Sequence, residues 1–543
     1  MSEATTPYLL KQLEKLNTIG VALSAERNNH CLLEMILVGA KEITNADGGT
    51  LYTLTEDKLL KFEIMRNDSL NISMGGTTGI EIPFKPLQLY LQDGSPNLTT
   101  VAAYATLQDQ TVNIENVYET QAFDFSGTRM FDQKAGYHSQ SFLTIPMKNH
   151  ESEVIGVLQL INAIDPVTKK IIPFSASNQS LVESLASQAA VAMTNHNLIT
   201  GLKDLFESFV TLIAEAIDQK SPYTGGHCRR VPELTMLLAQ AAIDAKTGPL
   251  AGFAMSEKEF YELKIAGWLH DCGKVTTPES VMDKPTKLSA IFDRITLIDL
   301  RFDLYRKQVE CTYLKQKITL LEAGNTTDLT VFDRHFFDLI EQSHSDQAFL
   351  RQANIGSEFM TADDQARVLS IAQLPLMDAN NDQQPFLSAD EIYNLSIVRG
   401  TLTAEERQII NNHIVVTINM LDSLPYPKDL KRVPEYAGGH HERMDGKGYP
   451  KGLTREQMSI PARVMGIADI FEALTSKDRP YKKAKTLSES LFILGKMKVD
   501  HHIDPDLFDL FVREKIYLKY AEQFLEPEQI DDVDVANIPG YVP

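Results

Sequence analysis

Cysteine is scarce in this 543-residue chain. Cys31, Cys228, Cys272 and Cys311 are too few and too scattered for a disulfide framework or a Cys-x-x-Cys zinc site. No run of about 18 uncharged apolar residues occurs, which argues against a membrane-spanning helix. The opening Met1-Ser2-Glu3-Ala4-Thr5-Thr6 lacks the basic and apolar regions of a signal peptide, so a cytoplasmic protein is expected. Basic residues are in deficit: 52 Lys and Arg stand against 73 Asp and Glu, a net charge of −21. That excludes the basic footprint of a non-specific nucleic-acid binder. It leaves room for a small anionic substrate drawn by metal ions and a local cluster of Lys and Arg.

The length suits two to four domains, and the 43% apolar content can build their cores. Residues 8–43 carry helical spacing at Leu9, Leu13 and Leu16, then at Leu32, Leu33, Ile36 and Leu37. After Asp47-Gly48-Gly49 come short strand-like runs at 50–54, 141–147 and 154–162, bounded by turn residues. An α+β domain over 8–195 is expected. The Ile145-Pro146-Met147 run and the series from Glu153 to Asn162 resemble a GAF domain, which implies a sensor. Cyclic-nucleotide-binding members carry Asn-Lys, Phe and Asp-Glu at positions where this chain has Asn162-Ala163, Phe174 and Asn178-Gln179. The Lys and both acids are missing, and no cysteine between 32 and 227 offers a bilin anchor. An unknown small ligand and a purely packing or dimerising role both stay open.

Over 180–220 the residues Leu181, Leu185, Gln188, Ala192, Asn195, Ile199, Leu202, Phe206, Phe209, Ile213 and Ala216 alternate in steps of four and three. That heptad predicts a coiled-coil linker helix joining two copies of the chain, with Gln188 and Asn195 fixing register. The alternative is one amphipathic helix lying on its own domain.

Beyond 220 the pattern is helical, with widely spaced metal-type residues. His227 precedes Cys228 and Arg229-Arg230-Val231. A capping box from Ser256 to Glu259 opens a helix that ends at His270-Asp271, followed by Lys274. A second box, Thr403 to Glu406, opens the helix expected to carry His413. His440-His441-Glu442-Arg443-Met444-Asp445-Gly446-Lys447-Gly448-Tyr449-Pro450 follows, and Asp469 sits in the apolar helix begun by Pro461. Adjacent histidines diverge by about 100° on a helix, so both can serve one site only at an element end or between two ions. Five His and two Asp on apolar backgrounds are costly to bury unpaired. Together they supply nitrogen and oxygen ligands for two divalent ions, and imidazole with carboxylate suits iron or manganese.

These motifs resemble the HD-GYP family of cyclic dinucleotide phosphodiesterases, a branch of the HD metal-dependent phosphohydrolases. The resemblance rests on 227–231, 270–274, His413, 440–450, Asp469 and Arg479-Pro480-Tyr481-Lys482. It implies metal ligands His227, His270, Asp271, His413, His440, His441 and Asp469, with Asp271 bridging two ions. It implies Lys274 at the reacting phosphate, and Tyr449, Arg479 and Lys482 on the substrate. Members with a third metal carry a Glu where this chain has Tyr223, so two metals are expected. Arg443 and Lys447 add positive field or are solvated turn charges; His502 is read as structural or as a support behind the ligands, and Cys228 and Cys272 as packing.

The expected architecture is therefore multidomain: the GAF-like domain, the linker helix and an all-α phosphohydrolase domain over 221–525, interrupted by a helical insertion over 290–399. In the insertion, Leu300, Leu304, Lys307, Cys311, Leu314, Ile318 and Leu321 form one stripe and Ile295, Ile298, Phe302, Tyr305 and Val309 another, which implies burial on two sides. A lid, a dimer arm and a partner surface all fit it. The expected activity is hydrolysis of cyclic di-GMP to pGpG, GMP or both by a homodimer. Alternatives are a cyclic GMP-AMP phosphodiesterase, a non-catalytic binding module and an oxygen-dependent di-iron enzyme.

Overall fold

The computed structural model describes residues 5–220, 226–324, 329–357, 359–378, 380, 382–477 and 484–543, with side chains from residue 10 onward. Two compact units emerge, Met1–Leu205 and Phe206–Pro543. No helix among the described residues is long and apolar enough to cross a membrane.

In the first unit, the helical spacing over 8–43 is realised as two helices, α1 (Thr5–Ala25) and α2 (Asn29–Thr44). The break lies at Asn28, whose side chain accepts from the amides of His30 and Cys31 and so restarts the helix. The sheet runs β1 (Ala46–Leu54), β2 (Leu59–Asn67), β3 (Ile72–Gly75), β4 (Leu87–Gln88), β5 (Val112–Ile114), β6 (Phe142–Lys148), β7 (Val154–Ile164) and β8 (Ile171–Ile172). Its order is β3-β2-β1-β7-β6-β5, with every pairing antiparallel. β1 and β7 meet centrally, with Leu51 opposite Leu158. β2 carries the alternating run Leu60-Lys61-Phe62-Glu63-Ile64, a strand signal outside the three runs expected, and its Arg66 is buried. Helices α3 (Val101–Gln108) and α4 (Ser126–Ala135) interrupt the strands.

The core of this unit joins Leu33, Ile36 and Leu37 to Leu51, Leu158 and Leu160, and to Leu181, Leu185, Ala189 and Met193. The last four belong to α5 (Ala176–Lys220). Leu181 and Leu185, expected in a seam between copies, are thus buried in their own domain, while Ile199, Leu202, Phe209 and Ile213 stay exposed. Asn162 and Gln179, from the altered nucleotide motif, serve the fold. The Asn162 amide ties the backbone of His138, Gln140 and Ser141, and Gln179 accepts from Asn113.

The second unit is helical. Its frame is α6 (His227–Asp244), α7 (Glu257–Leu269), a 3-10 turn at Cys272–Thr276 and the short α8 (Glu279–Met282). The insertion follows as α9 (Ile295–Glu322), α10 (Leu329–Ile355), α11 (Ala362–Ala372) and α12 (Ala389–Leu395). The frame resumes with α13 (Ala404–Asn411), α14 (His413–Asp422), α15 (Val433–Gly438), α16 (Ile460–Thr475), α17 (Leu487–Val499), α18 (Pro505–Arg513) and α19 (Ile516–Phe524). The insertion has its own core around Leu288, Ile298, Phe302, Val368, Phe386 and Leu395. Lys284 closes its base by pairing with Glu406 at 2.9 Å. Only one stripe of α9 is buried; Leu300, Leu304, Leu314, Ile318 and Leu321 are exposed, contrary to the expected two-sided burial. α10 and the chain behind it cover a single face.

Candidate metal centre

Three histidines share one local device. His270 follows α7, His440 follows α15, and His413 follows α13, not within it as expected. Each ring turns its Nδ1 onto the carbonyl three residues earlier: Gly267 at 2.7 Å, Ala437 at 2.6 Å and Ile410 at 2.5 Å. The last carbonyls of a helix lack helical partners, so the imidazole N–H satisfies one of them. Donation from Nδ1 leaves Nε2 as a lone-pair acceptor. The device sets the tautomer and aims that lone pair away from the helix.

His227 is turned by a different partner. It opens α6, and its Nδ1 is hydrogen-bonded to the carboxylate of Glu472, which Arg230 also grips at 2.7 Å. His227 and Arg230 are one turn apart on α6, as are Asp469 and Glu472 on α16, so the two pairs meet face to face. Glu472 was missed by the sequence reading; the available signal was a lone acid three residues after Asp469 on an apolar helix.

Asp271 stands at the convergence. Its Oδ2 lies 3.2 Å from His227 Nε2 and 3.3 Å from His270 Nε2; its Oδ1 lies 3.3 Å from His413 Nε2 and 4.0 Å from His440 Nε2. Asp469 Oδ1 is 3.3 Å from His227 Nε2 and 3.8 Å from His270 Nε2. The donor atoms form two groups, His227-His270-Asp271 and His413-His440-His441, each with its ligand atoms within 4.8 Å of one another. All seven expected ligands are therefore brought together. His440 and His441 can share the site because α15 has ended before them, and their ring centroids lie 4.2 Å apart.

The donor set fits divalent cations on its own chemistry. The buried Nε2 atoms of His227, His270, His413 and His440, and Oδ1 of Asp271, have no hydrogen-bond partner. Acceptors converging unpartnered in a dry interior are costly, and cations shared between them remove that cost. Burial pushes His441 down to about 4, and burial with its histidine neighbours holds His440 well below the usual range. Both stay neutral and able to ligate near neutral pH. Burial also works against charge on Asp271, but Lys274 and His270 outweigh it and keep the carboxyl well below its ordinary range.

Lys274 Nζ sits 2.5 Å from Asp271 Oδ2 with its side chain partly exposed. Burial disfavours its charge, but Asp271 and then Asp469 dominate and hold it protonated. Gly273 lets the turn close: a Cβ there would lie 2.0 Å from the His413 carbonyl oxygen and 2.6 Å from the Thr417 amide. Tyr449 stacks on His441 with centroids 4.8 Å apart, and burial followed by the Asp469 and Asp271 charges pushes its hydroxyl up to about 12.

The acids after the paired histidines serve the loop. Glu442 accepts from the amides of Lys451 and Leu453 at 2.7 and 2.8 Å, and Asp445 holds Arg443 at 3.1 Å. Arg443 is thus paired within the turn, and the solvated Lys447 lies 3.6 Å from the same carboxylate. His502 is partly buried beside the same turn, and Cys228 and Cys272 are packed in the core. Arg479 and Lys482, expected at the substrate, lie outside the described residues, as does Tyr223.

Residues 28–193 match the family model of the GAF domain, and residues 388–507 that of the HD domain. The second match contains His413, His440, His441 and Asp469; His227, His270 and Asp271 join them through the fold. The chain is 43% identical over 81 residues to a 3'3'-cGAMP-specific phosphodiesterase of Vibrio cholerae, covering 15% of this chain and 19% of that one. It is 28% identical over 227 residues to a cyclic di-GMP phosphodiesterase of Thermotoga maritima, covering 39% and 59%. With a cyclic di-GMP phosphodiesterase of Pseudomonas aeruginosa the identity is 45% over 74 residues, covering 14% and 17%. The chain spans less than two thirds of the length of each of these relatives.

Proposed function

We propose that this chain is a metal-dependent phosphodiesterase that hydrolyses cyclic di-GMP to pGpG, GMP or both, under the control of its GAF domain. The observation that carries this reading is the ring of unpartnered Nε2 atoms around Asp271 with Lys274 beside it. His227, His270, His413, His440, His441, Asp271 and Asp469 would hold two divalent ions, iron or manganese, with Asp271 between them. Such ions, when bound, supply Lewis acidity that lowers the pKa of water and neutralises phosphodiester oxygens.

The remaining tasks fall to this chain's own side chains. Lys274 carries a fixed positive charge at the partly exposed edge of the cluster, suited to the reacting phosphate or the leaving oxygen. Tyr449, packed on His441, offers a ring and a protonated hydroxyl to the substrate. Arg479 and Lys482 are assigned to the phosphates or bases by the family resemblance alone. The exposed half of α5 supports a homodimer. In the GAF domain, an aromatic cavity of about 400 Å³ lined by Tyr52, Phe62, Phe84, Phe131 and Phe142 would receive a small regulatory ligand.

A second substrate class has a specific observation behind it, since a relative similar to this chain is named for 3'3'-cGAMP. Protein purified without oxygen and loaded with iron or manganese is to be assayed against cyclic di-GMP and 3'3'-cGAMP. Cleavage of either that disappears in Asp271→Ala, together with bound metal, supports the reading. A metal-loaded wild type that cleaves neither, or an active Asp271→Ala, overturns it.

A further inference from the structure

We infer that the last turn of α5 positions two segments of the metal centre, those that carry His227 and Lys274, through Asp218 and Lys220. The two residues take hold of different segments. The carboxylate of Asp218, 7% exposed, accepts from the Gly226 amide at 3.0 Å and from the Cys228 amide at 3.2 Å. These amides open α6, whose first residue is His227 and whose N-cap, Gly226, has no side chain to cap it. Asp218 therefore supplies, from another helix, the anion that the start of α6 lacks.

Lys220 performs the opposite task. Its ammonium donates to the carbonyls of Lys274 at 3.2 Å, Thr277 at 2.6 Å and Val275. These carbonyls end the 3-10 turn that starts beside Asp271 and carries Lys274. A cation on terminal carbonyls and an anion on terminal amides are the favourable senses of both contacts. Side chains two residues apart on a helix diverge by about 200°, which is why one turn reaches two segments.

Both residues grip main chain, the amides on either side of His227 and the carbonyls behind Lys274, so both are positioning residues. Val210, Ala214 and Ile217 of the same helix lie in the core of the second unit, and α5 is unbroken from Ala176 to Lys220. A rotation or axial shift of α5 of the order of 1 Å would therefore move His227 and Lys274 together. Displacement on that scale is enough to cost about 100-fold in rate. The helix that leaves the GAF domain thus ends in a clamp on the chemistry.

The inference rests on the phosphodiesterase reading for its kinetic arm but not for its structural arm. The test compares full-length metal-loaded wild type with Lys220→Met, Asp218→Ala and Lys220→Arg. Steady-state kinetics on cyclic di-GMP, metal content, and amide hydrogen exchange over 226–230 and 272–277 are recorded. The expected result is a fall in kcat of about tenfold or more in Lys220→Met and Asp218→Ala, with KM within about twofold and metal content retained. Exchange should quicken over 272–277 in the first variant and over 226–230 in the second, and Lys220→Arg should restore both rate and protection. Unchanged exchange and unchanged kcat in either folded variant overturn the inference. If the wild type is inactive, the phosphodiesterase reading fails, while the exchange data still decide the positioning role.

Discussion

Nδ1 of His227 is hydrogen-bonded to the Glu472 carboxylate across 245 residues of sequence. This contact settles which ring nitrogen faces Asp271 and Asp469, because the other is committed to Glu472. Partners that orient a metal-binding imidazole typically govern 10- to 100-fold in metal affinity. Glu472→Gln should weaken metal binding by about that factor while the isosteric side chain keeps its contact with Arg230. Chelator competition on the purified protein measures the loss, and an affinity equal to the wild type would dismiss the role.

Gly273 makes a second, purely steric prediction. Its missing Cβ would stand 2.0 Å from the His413 carbonyl, which is backbone and cannot swing aside. Gly273→Ala should push α14 from the turn that carries Lys274, costing about 1–3 kcal/mol as overpacking does. A fall in the urea midpoint together with lower metal content is expected. Thr417→Gly in the same background should not rescue it, because the closest clash is with main chain.

A pH prediction comes from Asp504, whose side chain is fully buried and lies between Arg455 at 2.9 Å and Arg463. Burial raises its carboxyl, but the hydrogen bonds from Arg455 and the Leu507 amide, with the Arg463 charge, bring it below the ordinary 3.8. A depressed folded value means that the stabilisation is present in full above the unfolded value and is lost as pH falls through the folded one. Asp504→Asn should destabilise the fold near neutral pH by about 3 kcal/mol or less, since the largely buried Arg463 loses its carboxylate while the more exposed Arg455 keeps Asp506. In urea titrations the gap between variant and wild type should narrow only below about pH 4. A gap that closes already at pH 6 would point to another group.

The exposed half of α5 bears on assembly. Ile199, Leu202 and Phe209 are 70%, 69% and 55% exposed, which is unusual for three large apolar side chains on one helix. Leu202→Glu with Phe209→Glu should convert a dimer into a monomer in light scattering without lowering the helix content of the chain. A wild type that is monomeric at high concentration would remove the coiled coil from the proposal.

Much of this protein was legible in one dimension because the signals are local. The capping boxes at Ser256 and Thr403 mark helix starts through contacts three residues long, and both are present. The paired histidines and the glycines at 446 and 448 announced a turn, and a Cβ at Gly448 would indeed lie 2.4 Å from the Arg443 amide. The seven metal-type residues were identifiable by chemical kind and by resemblance to a family.

What remained hidden was decided by contacts between distant segments. Heptad spacing at Leu181 and Leu185 is the same whether the stripe meets another copy or its own sheet; packing against Leu51 and Leu158 chose the sheet. The second stripe of α9 looked ready for burial, yet one face already satisfied the insertion core. Glu472, Asp218 and Lys220 gave little sign in the sequence, because a charged residue acquires its role from the partner that the fold brings to it. Side-chain chemistry and helix periodicity belong to the sequence, whereas the direction of each Nε2 belongs to the tertiary structure, since burial and pairing are properties of the folded neighbourhood.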